Sequence, residues 1–270
     1  MSTKGQSLKD VLSSIFATSV ILICVAVGFT VYYLILGDPI NFEGGNVEKG
    51  KPIGYLGIVF RGGFIVPILI AVILVLITFS IERGISLSRA TGKGKLNVFV
   101  RNIRALLNED RIEDAIAACD KQKGSLANAA KAGLRRYRDL QADTTLPNDQ
   151  KVLAFQKELE EATALELPML SKNLVVLSTI ASIAVLIGLI GTVLGMIKAF
   201  GALASAGSPD ALALATGISE ALINTAFGIT GSTLALIAYN YYSNKIDSMT
   251  FKIDEANFSL SQTFASTLKK

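Results

Sequence analysis

Thr192 and Lys198 stand in one long apolar run of this sequence, and Glu220, Asn224 and Thr225 stand in the next. A hydroxyl both donates and accepts hydrogen bonds, and a carboxylate beside an ammonium can pair or pass a proton. Small residues accompany them at helical spacing: Gly188, Gly191, Gly195 and Ala199 in the first run, Gly217, Ala221 and Gly228 in the second. Lipid gives polar groups no partners, so at membrane depth they face a protein interior or a wet cavity. The expectation is a pair of helices lining an ion-conducting pore built from several copies of the chain.

Each residue has a plainer use as well. Membrane threonines often bond back to their own helix, and Gly191, Gly195 and Ala199 fit a packing seam in which small residues let two helices touch. The pairing of threonines argues for more. Thr192 lies about fourteen residues before the turn joining the runs, and Thr225 about seventeen after it. Antiparallel helices then hold both at nearly one depth, and repetition around an axis gives a ring of hydroxyls able to hold a water chain. Glu220 is the one acid inside any apolar run. Either it serves proton transit directly or it pairs with Lys198 across the helices. A charge at the bilayer centre costs about 2.5–3.5 kcal/mol on insertion scales, which favours a partner or a position near an interface. Asn224, one turn from Glu220, is expected to bond across helices. Tyr239, Tyr241 and Tyr242 are expected to anchor the helix at a membrane interface.

The apolar runs contain no Asp and no His. A proton crossing a dry pore needs a titratable carrier near its middle, and Glu220 is far from there. The carrier must come from another polypeptide, and the chain alone should conduct poorly.

The elements that must position these groups follow from composition. The chain has 270 residues, 51% of them hydrophobic, and a mean hydropathy of +0.49. Such values with long charge-free runs specify an all-α, multi-pass membrane protein. The net charge of +4 fits membrane topology better than nucleic-acid binding. With no His, a His relay, a His-ligated metal and a Ser-His-Asp set are excluded, and no cofactor or metal is expected. Cys24 and Cys119 fall in a span and in a polar segment, which suits two plain buried thiols rather than a disulfide.

Four transmembrane helices are predicted. Residues 1–10 form a cytoplasmic N-terminus and 11–36 an extra first span of roughly 39 Å. That run is too long for a cleaved signal peptide and lacks a small-x-small site at its end. Residues 37–63 are a Gly-rich periplasmic loop, and 64–81 a second span with Pro67 in its first turns, where the missing N–H is harmless. Residues 82–172 are a helical cytoplasmic domain, 174–203 and 211–242 the pore-lining spans, 204–210 a periplasmic turn, and 243–270 a cytoplasmic tail. Basic residues from Arg83 to Arg104 set this orientation by the positive-inside rule. Within the polar domain, Ile112, Ala115, Ile116 and Cys119 share one helical face. Residues 126–140 repeat the pattern, with Arg135, Arg136 and Arg138 on a solvated face or against anionic lipid. Asp149 is the expected N-cap of a helix that runs on into the third span with a kink near Pro168.

Two runs now carry a resemblance. Gly188-Leu-Ile-Gly-Thr-Val-Leu-Gly-Met-Ile197 and Glu220-Ala-Leu-Ile-Asn-Thr-Ala-Phe-Gly228, followed by Tyr239-Asn240, resemble the MotA/TolQ/ExbB proton channel family, and most the ExbB and TolQ branch. Gly62-Gly-Phe-Ile-Val-Pro67 and Ile81-Glu-Arg83 resemble that branch more weakly. The extra span at 11–36 departs from its three-span plan and is similar to the four-span MotA layout. The resemblance implies an inner-membrane homopentamer around two copies of a single-span ExbD- or TolR-type partner, whose membrane helix carries an acid. It also implies that proton flow drives the partner to act on a TonB- or TolA-type protein. Thr192, Thr225 and Glu220 fall on the family's polar pore positions; Gly188, Gly191, Gly195, Asn224 and Gly228 fall on packing and partner-contact positions. ExbB and TolQ are not separated by these residues. A passive scaffold holding a partner helix is the alternative, and no nucleophile–base set supports an enzyme.

Overall fold

A computed structural model describes residues 18–47, 50–143, 145–204 and 210–268. The predicted N-terminal segment 1–10, the start of the first span, most of the 204–210 turn and the last two lysines lie outside them. Among the described residues the chain is helical, with α1 at Thr18–Leu36, α2 at Tyr55–Phe60, α3 at Ile65–Thr91, α4 at Leu96–Asn108, α5 at Ile112–Gln122, α6 at Ser125–Ala142, α7 at Asn148–Ser171, α8 at Leu174–Ala204 and α9 at Ala211–Thr267. Four of these, α1, α3, α8 and α9, contain stretches long and apolar enough to cross a membrane. The chain divides into two compact units: residues up to Ser80 with Val176–Tyr239, and Ile81–Val175 with Asn240 onward.

In the first unit, α1 packs closely on α3. A Cβ on Gly28 would sit 2.6 Å from the Pro67 carbonyl oxygen, so only glycine permits this approach. Tyr32, Leu36 and Val66 are buried together, with Ile223 of α9 beside them. The last turn of α1, Val31–Leu36, is a π-helix. Helix ends leave carbonyls without intrahelical donors; here Asn41 Nδ2 donates to Ile35 and Leu36, at 2.8 and 3.1 Å.

In the segment expected as a Gly-rich loop over 37–63, the described residues form a small folded element. Phe42 and Pro52 form an isolated antiparallel bridge. Arg61 donates to the Gly50 carbonyl at 2.8 Å and lies 5.5 Å from the Phe42 ring centroid. Tyr32 stacks on Phe60 at 4.6 Å and donates its hydroxyl to the Phe60 carbonyl at 3.0 Å. Aromatic stacking and satisfied backbone carbonyls replace the regular hydrogen bonding that a Gly- and Pro-rich segment cannot supply.

The second unit is built from amphipathic helices. Phe99, Ile103 and Leu107 of α4 are buried at i, i+4, i+8 spacing, and Ile112, Ala115 and Cys119 of α5 at i, i+3, i+7. Tyr137, Phe155 and Phe264 close the core, with centroids 4.5 and 4.8 Å apart at Phe264. Phe264 belongs to a region expected as a tail after 242. α9 in fact continues to Thr267, because Ile253, Ala256, Leu260 and Phe264 form a buried stripe that needs the helix. α7 begins at Asn148 with Pro147 at its cap position, so Asp149 lies inside the first turn and is not the cap. Pro168 is accommodated within α7. The break with α8 comes at Lys172 and Asn173, where Asn173 has φ +60°. Arg83, 2% exposed, holds this junction: it pairs with Glu82 at 2.6 Å and donates to the Leu170 carbonyl, while Asn173 donates to Glu82. Arg135, Arg136 and Arg138 are exposed, and Arg138 pairs with Glu113 at 3.0 Å.

Candidate functional site

Within the first unit, α8 and α9 meet along glycine and alanine. A Cβ on Gly188 would lie 3.0 Å from the Gly228 Cα, one on Gly195 2.7 Å from the Ala221 nitrogen, and one on Gly217 2.7 Å from the Ala199 nitrogen. These neighbours are backbone atoms, which cannot swing aside. Small residues one turn apart therefore bring the two backbones into contact. Gly191 faces the Asn224 side chain, whose Cβ would be 2.5 Å from an added methyl.

That contact fixes the polar groups. Thr192 and Thr225 hydroxyls bond to each other across the seam, and both residues remain partly exposed. Each also reaches a carbonyl of its own helix, Thr192 to Gly188 at 3.1 Å and Thr225 to Ala221 at 3.2 Å. Two hydroxyls hold two donor hydrogens, so the pair has two equivalent arrangements. Thr192 donates to Thr225 while Thr225 donates to Ala221, or Thr225 donates to Thr192 while Thr192 donates to Gly188. Either order leaves each hydroxyl oxygen with acceptor capacity unused within the pair. The backbone bonding expected of a packing threonine and the contact with Thr225 coexist at Thr192.

Five residues before Thr225, Glu220 forms an ion pair with Lys198, Nζ to Oε2 at 2.8 Å. The Glu220 side chain is 12% exposed and that of Lys198 is 66% exposed. Glu220 also packs on Gly63, which has φ +75° and whose Cβ would fall 2.1 Å from Oε1. No side chain fits there, and only glycine adopts that backbone without strain. Asn224 is fully buried and donates from Nδ2 to the Gly62 carbonyl at 2.9 Å. Its Oδ1 meets no donor among the described residues. One more tie crosses the seam, from the Ser232 hydroxyl to the Ala181 carbonyl.

Thr192, Lys198, Glu220, Asn224 and Thr225 are thus in this one assembly with the small residues of the seam. Gly62 and Gly63 are the additions: a Gly-Gly pair ahead of an apolar run marks a place where another group approaches closely, but not which group. Among the described residues, no three His, Cys, Asp or Glu side chains gather as metal ligands would.

Residues 121–255 match the family described as the MotA/TolQ/ExbB proton channel family, and this stretch is half of the chain. The chain belongs to that family. The match covers the entire α8–α9 seam and begins after α1, the 37–63 segment and α3. Among curated relatives, a putative biopolymer transport protein ExbB-like 3 of Synechocystis is 36% identical over 90 residues, which is 33% of this chain and 43% of the relative. The Tol-Pal system protein TolQ of Haemophilus influenzae is 39% identical over 106 residues, 39% of this chain and 42% of the relative. The chain thus spans under half the length of these two. A biopolymer transport protein ExbB of Neisseria meningitidis is 29% identical over 210 residues, 74% of this chain and 92% of the relative. This MotA/TolQ/ExbB family member is a multi-pass membrane protein of channel type, with relatives named for both ExbB and TolQ.

Proposed function

We propose that this chain is the channel subunit of a proton-driven motor of the ExbB type. Several copies, five by resemblance, surround a lumen that holds two copies of a single-span partner carrying the membrane acid. Protons use that acid as carrier and pass the hydroxyls of Thr192 and Thr225, and the partner transmits the resulting work to a TonB-type protein that energises transport across an outer membrane. The observation that carries the reading is the threonine pair. Two hydroxyls from separate helices share one depth, and both residues are partly exposed. A seam serving only as a scaffold gains nothing from polar groups left half open.

Glu220 and Lys198 shape the field at one mouth in this account, Glu220 as an approach to the pathway and Lys198 as its counter-ion. The excess of basic residues after Ile81 supports a cytoplasmic side for the second unit and both termini, and the resemblance supports a bacterial inner membrane. The drive is modest, since one charge moved through 100 mV is worth about 2.3 kcal/mol, so several protons are needed per stroke.

Similarity to TolQ of Haemophilus influenzae supports a second version, in which the same motor serves a Tol-Pal system through a TolR-type partner. Co-expression with the single-span protein encoded nearby tests both. A detergent-extracted complex with the mass of five chains and two partners, active in energy-dependent uptake or in envelope maintenance, is expected. The partner's identity selects the version. A monomer that captures no partner would overturn both.

A further inference from the structure

In the second unit, away from the threonine pair, a cleft of about 720 Å³ opens between the α3–α4 connection and the end of α5. Ligand sites of small molecules span roughly 300–1,000 Å³. The frame of the cleft is rigid. Gly92 and Gly124, at φ +76° and +86°, interlock so closely that a Cβ on either would fall within 2.4 Å of a backbone oxygen of the other strand of chain. The Lys93 N–H donates to the Gln122 carbonyl at 2.7 Å.

Four cations line this cleft, Lys93, Lys95, Arg101 and Lys121, and no acid lines it. None of the four is in an ion pair among the described residues, whereas Lys131, Arg111 and Arg138 in the same unit all are. α4 starts at the rim and its N-cap residue Lys95 gives no side-chain cap; of its first amides, that of Val98 already donates to the Lys95 carbonyl, which leaves those of Leu96 and Asn97. Gln122 is the most telling group. It is 9% exposed, lines the cleft, and its Nε2 has no acceptor among the described residues. Buried amide donors are nearly always satisfied; this one is closed off from the cleft as it stands, and a rotation of the Gln122 side chain turns it toward an occupant. Phe99 supplies an apolar wall.

We propose that this cleft binds a phosphate-bearing anion. Its oxygens accept from the lysines, Arg101 and the helix start, Gln122 turns its amide to join them, and Phe99 covers its organic part. Lys93, Lys95 and Arg101 precede residue 121, so the site lies mostly outside the family match. It does not rest on the channel reading.

Two sources share this chemistry: a soluble phosphorylated molecule and a phospholipid headgroup. The chain has no Trp, so Val98→Trp at the cleft gives a fluorescence signal without background. The full chain in phosphatidylcholine nanodiscs is titrated with inorganic pyrophosphate and with AMP. Calorimetry of the unsubstituted chain with the same probes replaces the reporter if Val98→Trp fails to fold. Saturable binding is expected, weakened about tenfold in Lys93→Ala/Lys121→Ala by loss of charge-assisted bonds. Gln122→Met should weaken it about threefold with no loss of melting temperature, since it removes an orphan donor. If neither probe binds, but the signal or melting temperature changes between pure phosphatidylcholine discs and discs containing phosphatidylglycerol, and Lys93→Ala/Lys121→Ala abolishes the change, the occupant is a headgroup. No response to any of these, or a response that the three substitutions leave unaltered, overturns the site.

Discussion

Lys198 and Glu220 form an ion pair whose two ends live in different surroundings, the ammonium largely in the open and the carboxylate against Gly63 with 12% of its side chain exposed. Removing one partner therefore has unequal consequences. Lys198→Met strands a mostly buried carboxylate and should destabilise by about 1–2 kcal/mol, below the cost for a fully buried pair because Lys198 is two-thirds exposed. Glu220→Gln leaves no buried charge and should cost less than about 1 kcal/mol. The double variant should recover most of the Lys198→Met loss. Melting of the detergent-solubilised complex gives the cycle; strictly additive single effects would mean that the pair is not coupled.

The glycines of the seam are predicted to differ sharply from a glycine outside it. Gly195→Ala drives a methyl into the backbone of Ala221 and Gly217 and should destabilise by about 1–3 kcal/mol. Gly201→Ala, on the same helix, meets nothing within 4 Å and should be neutral or stabilise by up to about 1 kcal/mol. Comparing the two melting temperatures checks the helix contact directly. Equal effects would contradict it.

Cys119, 2% exposed in the second unit, has its thiol pushed from about 9 to about 12, first by burial and then by Asp120. The thiol should resist maleimide at pH 8 until the protein is denatured. The sign of the linked stability follows. The folded state holds the proton more tightly, so the contribution is complete below about pH 9 and is lost as pH rises toward 12. Cys119→Ala should lose stability at neutral pH through the small cavity, but show a shallower alkaline decline. Tyr137, also raised by burial, keeps part of that decline in place. Rapid labelling of native protein at pH 8 would refute the burial.

Much of this arrangement was legible in the sequence because bilayer-length apolar runs and 3.6-residue spacing are strong signals. The depth match of Thr192 and Thr225 follows from counting outward from one turn, and the Lys198–Glu220 pair from the same count. What sequence could not supply are contacts between distant segments. Asn224 finds the Gly62 carbonyl 162 residues away, and no local pattern announces a backbone acceptor. The sequence points to a continuous helix kinked at Pro168, the obvious interrupter, whereas the chain breaks at Asn173, where buried Arg83 and partly exposed Glu82 hold the junction. The stripe Ile253, Ala256, Leu260 and Phe264 was readable but hidden by the charges between its members. The 37–63 segment is held by irregular contacts that leave no period.

A direct test of the central claim is proton flux through proteoliposomes holding the chain with its single-span partner, comparing the unsubstituted pair with Thr192→Val/Thr225→Val. Valine keeps the shape and removes both hydroxyls, each worth about 1–1.5 kcal/mol to a passing water or proton. The account predicts a fall of at least about tenfold with assembly intact, and flux near background when the partner is omitted. Unchanged flux in a correctly assembled double-valine complex would contradict it.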